Sequence, residues 1–222
     1  MSRDLWLKQL RIAGADTRPV EEVLTDGVPV DGLQHAGSAL LRVERSAVLV
    51  GVARGLMDAL SERDWTGDAV LIAEHEHDVD QTASDLIRLP VELDGVGEAL
   101  DQSAGSESYI DVADGALWPA ELFEFDQGPG DFDPTSDRWL VVVGLGSEPA
   151  YEVMERFVVS IQSRDIASRL FDALGGRGAF RRFQTELSRY EGEYTRWHRF
   201  RDDARLGRAR AWLADRGYQS NR

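Results

Sequence analysis

The residues with the greatest chemical potential in this chain are Arg177, Gly178, Arg181 and Arg182, set in the run Gly-Gly-Arg-Gly-Ala-Phe-Arg-Arg-Phe over residues 175–183. The glycines let the backbone turn tightly ahead of a helix, and Phe180 and Phe183 are spaced to anchor that helix to a core. The arginines then fall off the buried stripe at a helix N-terminus, where cations oppose the macrodipole at about 0.3–1 kcal/mol each. Such a cluster calls for anionic compensation. Carboxylates of the same chain would make it an internal clamp, whereas a phosphate or carboxylate from outside would make it a binding site. It is not the P-loop of nucleoside triphosphatases, because the Gly-Lys-Ser/Thr ending and the preceding strand are absent.

Other groupings carry weaker signals. Trp197 and His198, with Arg196, Arg199 and Arg201 around them, have the aromatic-plus-cation composition of a base-stacking surface. The same helical spacing also suits a core Trp197 with a solvated arginine rim. His75 and His77 flank Glu76, and on a strand both would share one face as weak metal ligands. No third anchored ligand accompanies them, so no metal site is assigned. Asp131, Asp133, Thr135 and Asp137 resemble half of a calcium loop, but Ser136 stands where the glycine is required. Gly144-Leu145-Gly146 lacks the third glycine of a dinucleotide fingerprint, and no cofactor is expected. There is no Gly-x-Ser-x-Gly elbow, and the absence of cysteine removes thiolate chemistry and disulfides. Catalytic residues are therefore not assigned.

Charge bounds the partners. The chain of 222 residues has a net charge of −15, which disfavours general adhesion to nucleic acid or anionic lipid. The charge is divided: residues 1–163 carry 11 basic against 32 acidic side chains, and residues 164–222 carry 14 against 8. A basic C-terminal part docked on the acidic remainder explains this, as does a basic part that receives an acidic partner. The 25 basic residues include a single lysine, Lys8, so the cationic chemistry is almost wholly guanidinium. No apolar run approaches the roughly 20 residues of a membrane span, and the first residues lack the apolar centre of an export signal. A cytoplasmic location is expected.

The elements that must position these groups can be read from period and punctuation. Short helices are expected around residues 5–12 and 20–24, and a helix over residues 47–62 with Val48, Val52, Leu56 and Leu60 on its inner face. Residues 63–85 read as an irregular or helical connection, with a boundary near residue 83. Pro90 limits residues 86–93 to an edge strand or extended entry before a short helix at 94–100. Residues 108–112 and 115–125 form two extended runs around Asp114-Gly115, a tight-turn dipeptide, and residues 138–143 make a further strand. From Ser147 the pattern is helical: a helix facing inward through Tyr151, Met154, Phe157, Val158 and Ile161, a second capped by Asp165, and a third from about residue 179. A last pair is divided at Asp202-Asp203, because Trp197, Phe200 and Ala204 lie nearly opposite Leu206, Ala209 and Leu213. The final helix ends at Gly217. The expected fold is α+β, with residues 1–83 as a mainly helical extension. Residues 84–222 then form a small antiparallel sheet followed by four or five helices.

Three stretches resemble the bacterial uncharacterised protein family 0158 over about residues 86–218. They are Tyr109-Ile110-Asp111 with Asp114-Gly115 and Trp118-Pro119; Tyr151 with Met154-Glu155-Arg156-Phe157; and residues 176–183 with Trp197, Phe200, Ala211-Trp212-Leu213 and Gly217-Tyr218. His198 departs from the further aromatic found there in relatives. The resemblance implies an α+β architecture and brings no activity, substrate or catalytic residue with it. The expected function is a non-catalytic cytoplasmic binding or regulatory protein whose arginine-rich turn engages an acidic protein or phosphate-bearing ligand. The alternative is an enzyme acting on a phosphorylated or nucleic-acid substrate.

Overall fold

One long helix organises the chain. In a computed structural model, which describes residues 28–43, 46–125 and 127–221, the helices are α1 (Leu33–Leu40), α2 (Ala47–Arg63), α3 (Asp68–Asp80), α4 (Leu93–Leu100), α5 (Ala120–Glu124), α6 (Glu148–Val159), α7 (Arg164–Leu174), α8 (Ala179–Leu187) and α9 (Glu191–Ala214). The strands are β1 (Ile87–Leu89), β2 (Glu107–Asp111), β3 (Leu117–Pro119), β4 (Trp139–Val143) and β5 (Tyr218–Ser220). A short 3-10 turn at Val30–Gly32 leads into α1. The fold is α+β, as expected. The helices expected at residues 5–12 and 20–24 lie outside the described residues.

The break expected at Asp202-Asp203 does not occur. The 24 residues of α9 run unbroken, about 36 Å at the standard rise. The change of apolar phase has another cause: α9 is covered on several sides. Trp197, Phe200 and Ala204 join α6, α7 and α8 in one apolar cluster. Leu206, Ala209 and Leu213 join β1, α4 and the strands β2 and β4 in another. A third cluster, formed by α1, α2 and α3, has no α9 member and meets that helix through polar side chains.

The sheet follows the reading of the sequence with two changes. Strand β2 is central, paired antiparallel with β3 (Tyr109 opposite Trp118) and with β4 (Tyr109 opposite Val141). The second extended run, expected to reach residue 125, stops at Pro119, which cannot donate to the ladder and instead leads into α5. The turn before it is longer than a two-residue hairpin: Asp111 accepts from the amide of Ala113 through its side chain and from that of Gly115 through its carbonyl. Gly115 has φ +74°, and a Cβ there would collide with the Pro90 carbonyl, so glycine is required on two counts. The two-stranded parallel pair β1–β5, with Ile87 opposite Tyr218, was not foreseen; it ties the end of the chain back to its middle.

Three further differences are local. The inner face of α2 is Leu49, Ala53, Leu56 and Leu60, with Val48 turned to solvent. Ser163, not Asp165, caps α7, while Asp165 pairs with Arg169 one turn on. Residues 68–80, expected as irregular or helical, form α3. It enters where Gly67 passes against Gly207 of α9, so closely that a Cβ on either would strike the other segment's backbone.

That crossing makes a test with a reversed sign. Replacing a mid-helix glycine by alanine ordinarily stabilises by about 1 kcal/mol. Gly207→Ala is instead expected to lower the melting midpoint by about 4 °C or more, because its methyl meets the Thr66 carbonyl. Gly192→Ala, in open space on the same helix, raises the midpoint slightly. Equal and positive shifts in thermal denaturation would refute the crossing.

Candidate functional site

The arginine-rich turn joins α7 to α8. Gly176 and Gly178 take positive φ angles of +72° and +79°, which reverse the chain within four residues. The turn exposes the last carbonyls of α7, which have no partner inside the helix. Arg182 supplies one: its guanidinium donates to the carbonyls of Ala173 and Gly176 at 3.2 Å each, and closely to those of Gly175 and Arg177. Arg182 thus works as an internal clamp, although on backbone carbonyls and not on carboxylates.

Arg177 and Arg181 are different. Both are exposed, and neither guanidinium has a partner among the described residues. Phe183 is buried in the helical core as expected, but Phe180 is 41% exposed, and Phe171 on α7 is 65% exposed. The anchoring role assigned to Phe180 passes to Ala179, Phe183 and Leu187. The first turn of α8 holds no acidic residue, so its positive end is not neutralised locally. The hairpin therefore exposes two guanidinium groups that have no partner among the described residues and two aromatic rings.

The remaining candidates are dispersed. Trp197 is buried, its ring edge-on to Phe157 and Phe183 at centroid distances of 5.1 and 5.0 Å, and has no open face for a base. His198 is half-buried against Tyr194. Because α3 is a helix and not a strand, His75 and His77 point to different sides: His75 is buried, and His77 is hydrogen-bonded to Thr82 Oγ1 at 2.8 Å. Among the described residues no group of three or more His, Asp or Glu side chains is placed to hold a metal. Asp131 pairs with Arg138, which also donates to Asp111, so the loop acids serve the sheet.

Reasoning from sequence missed a buried ionic seam. Asp31 accepts from Arg199 Nη2 at 2.6 Å and from Arg196 Nε at 3.0 Å. Asp203, fully buried, accepts from the backbone amide of His35 and pairs with His35 Nδ1 at 3.0 Å and Arg63 Nη1 at 2.6 Å. Arg63 also pairs with Asp68 at 2.5 Å, and Asp68 accepts from Gln34. Arg210 donates to Gln34, Ser38 and, closely, Glu74. The signal was present in α9: Arg199, Asp203, Gly207 and Arg210 recur at spacings of four, four and three, one helix face. His35 and Asp203 have the arrangement of a base and its orienting acid, but His35 Nε2 is buried with no hydrogen-bond partner and no hydroxyl to activate. The seam joins α1, α2 and α3 to α9.

Its electrostatics can be tested. Burial alone would raise the Asp203 carboxyl, but the hydrogen bond from His35 and the charge of Arg63 outweigh it and hold the group below the ordinary carboxylate value. A depressed folded-state value means that the contribution is complete above about pH 4 and is lost as pH falls through it.

Residues 77–221 match the model of an uncharacterised protein family, UPF0158. An α+β chain with a small antiparallel sheet and a C-terminal helical region is thereby given its relatives: it belongs to that family. The match begins inside α3 and takes in the sheet, the arginine-rich turn and all of α9. No curated protein and no solved structure matches the chain.

Two outcomes follow from this geometry. Arg182→Gln is expected to lower the melting midpoint by about 2–6 °C through loss of the α7 clamp, while Arg177→Gln and Arg181→Gln leave it unchanged. Asp203→Asn is expected to cost about 3–5 kcal/mol near neutral pH in urea titrations. As pH falls below about 4 the wild type then loses stability more steeply than this variant, since only it has the Asp203 carboxylate to protonate. An Asn variant of undiminished stability would remove the seam from the list of forces holding the fold.

Proposed function

We propose that this protein is a non-catalytic binding or regulatory protein of the cytoplasm that presents Arg177 and Arg181 to an acidic partner. The observation that supports the reading is that both guanidinium groups are exposed and unpaired among the described residues, on a hairpin that also exposes Phe171 and Phe180. Arginine beside aromatic rings is the composition of protein-binding hot spots, and the fork of a guanidinium suits carboxylates. Most basic residues of α9, by contrast, are already taken by Asp31, Glu74, Asp94, Asp101 and other acids of the chain. The basic charge of α9 is thus largely answered within the chain, whereas Arg177 and Arg181 on the hairpin are directed outward. Among the described residues no helix is long and apolar enough to cross a membrane.

The second reading, an enzyme acting on a phosphorylated or nucleic-acid substrate, would use the same arginines. The two are separated by fluorescence anisotropy with a labelled polyglutamate peptide and a labelled single-stranded oligonucleotide, each at low and physiological salt. Binding of the peptide that weakens with salt is expected, with an affinity loss of about tenfold in the Arg177→Gln/Arg181→Gln double variant. Peptide binding that survives the double variant, or none in the wild type, would overturn the proposal. Binding of the oligonucleotide alone would favour the enzyme.

A further inference from the structure

A second cationic feature lies away from the hairpin, where α1 and α3 meet the β1–β5 pair and α9. A cavity there is walled by Ser38, Arg42, Glu74, His77, Thr82, Ser84, Arg88, Arg210 and the last residues of β5, among others. Its enclosed part is about 40 Å³, room for a few waters or one small oxyanion. Arg210 and Glu74 form an ion pair in the wall and cancel one another. Arg42 and Arg88 are exposed, and neither has a carboxylate partner among the described residues, so the cavity mouth keeps a net positive charge. Hydroxyls of Ser38, Thr82, Ser84 and Ser220 and the amide of Asn221 also line it. Glu74 Oε1 is buried with no hydrogen-bond partner and leaves an acceptor for a protonated phosphate oxygen.

We propose that this cavity is a phosphate site, in which Arg42 and Arg88 clasp the phosphate group of a small molecule and the surrounding hydroxyls and amide complete its hydrogen bonds. Two guanidinium forks set among neutral donors are the chemistry that recognises a phosphate, and the limited enclosed volume admits the head group while leaving the rest of an ester outside. The cavity draws on both parts of the chain. Ser38, Arg42 and Glu74 precede the region that matches the family, whereas His77, Arg88, Arg210 and Asn221 fall within it. The site thus draws on residues from before and within the matched region, and it is independent of the arginine-rich hairpin.

The test is a melting-midpoint titration of the full chain with inorganic phosphate, and separately with glycerol phosphate, against sodium chloride of matched ionic strength. A saturable rise is expected, about 3–6 °C at ten times the dissociation constant. Arg42→Gln and Arg88→Gln, both at exposed positions, are each expected to raise the half-saturation concentration about tenfold. The Arg177→Gln/Arg181→Gln variant should titrate as the wild type does. Tighter binding of glycerol phosphate than of inorganic phosphate would identify a phosphate ester as the ligand, and the reverse order the free ion. No rise beyond that given by chloride would overturn the proposal. So would a rise that survives both Arg42→Gln and Arg88→Gln, or one abolished by the hairpin variant, which would place the anion at the hairpin instead.

Discussion

Asp203 sits fully buried in the middle of α9, held by Arg63 from the end of α2 and His35 from α1. A carboxylate so placed is tolerable only when cations and donors surround it, since burying an unpaired charge costs several kcal/mol. The arrangement therefore constrains four elements at once: α1 must present His35, α2 must end at Arg63, α3 must begin with Asp68 to share that arginine, and α9 must run unbroken past Asp203. A seam of this kind adds little net stability compared with apolar packing, but it admits very few alternative registers of one helix on another. The glycine crossing at Gly67 and Gly207 reinforces the constraint by bringing the two backbones into contact one turn away.

The division of charge along the chain acquires a physical meaning from this seam. The arginines of α9 point into the acids of the N-terminal helices and of α4, so the basic character of that helix is largely spent inside the molecule. Arginines outside α9 remain directed outward, among them Arg177 and Arg181 on the α7–α8 hairpin and Arg42 and Arg88 at the cavity beside β1. On a protein of net charge −15, isolated positive spots of this sort favour specific, geometrically defined anions over general adhesion to polyanions.

The family match covers the sheet and the helical region, and the chain before it is bound to that region by buried ion pairs and by Trp65, whose ring packs on Phe200 at a centroid distance of 4.5 Å. The N-terminal helices keep their own apolar cluster, which meets α9 across the polar seam. The apolar clusters fold around their own members, and the charged pairs set how the parts fit.

Much was legible in the sequence because it rests on local chemistry. The helical period fixed α2, α6, α7 and α8 to within a few residues; Pro90 marked where β1 could not continue; and the glycines of residues 175–178 marked the reversal before α8. The residue types of the arginine-rich turn were also legible, but their roles were not. Arg181 and Arg182 are neighbours of the same type, yet only Arg182 projects toward the carbonyls at the end of α7, and that direction depends on the angle between two helices. The same holds for α9. Its sequence records that apolar residues change phase at Asp202-Asp203, which a single amphipathic helix cannot explain and a break can. Only the tertiary structure supplies the other explanation, that separate layers cover separate faces of one continuous helix and that a carboxylate at the change of phase is matched by a guanidinium and a backbone amide more than 100 residues away in the chain. Periods and punctuation are set by neighbours in sequence; partners for a buried charge are set by neighbours in space.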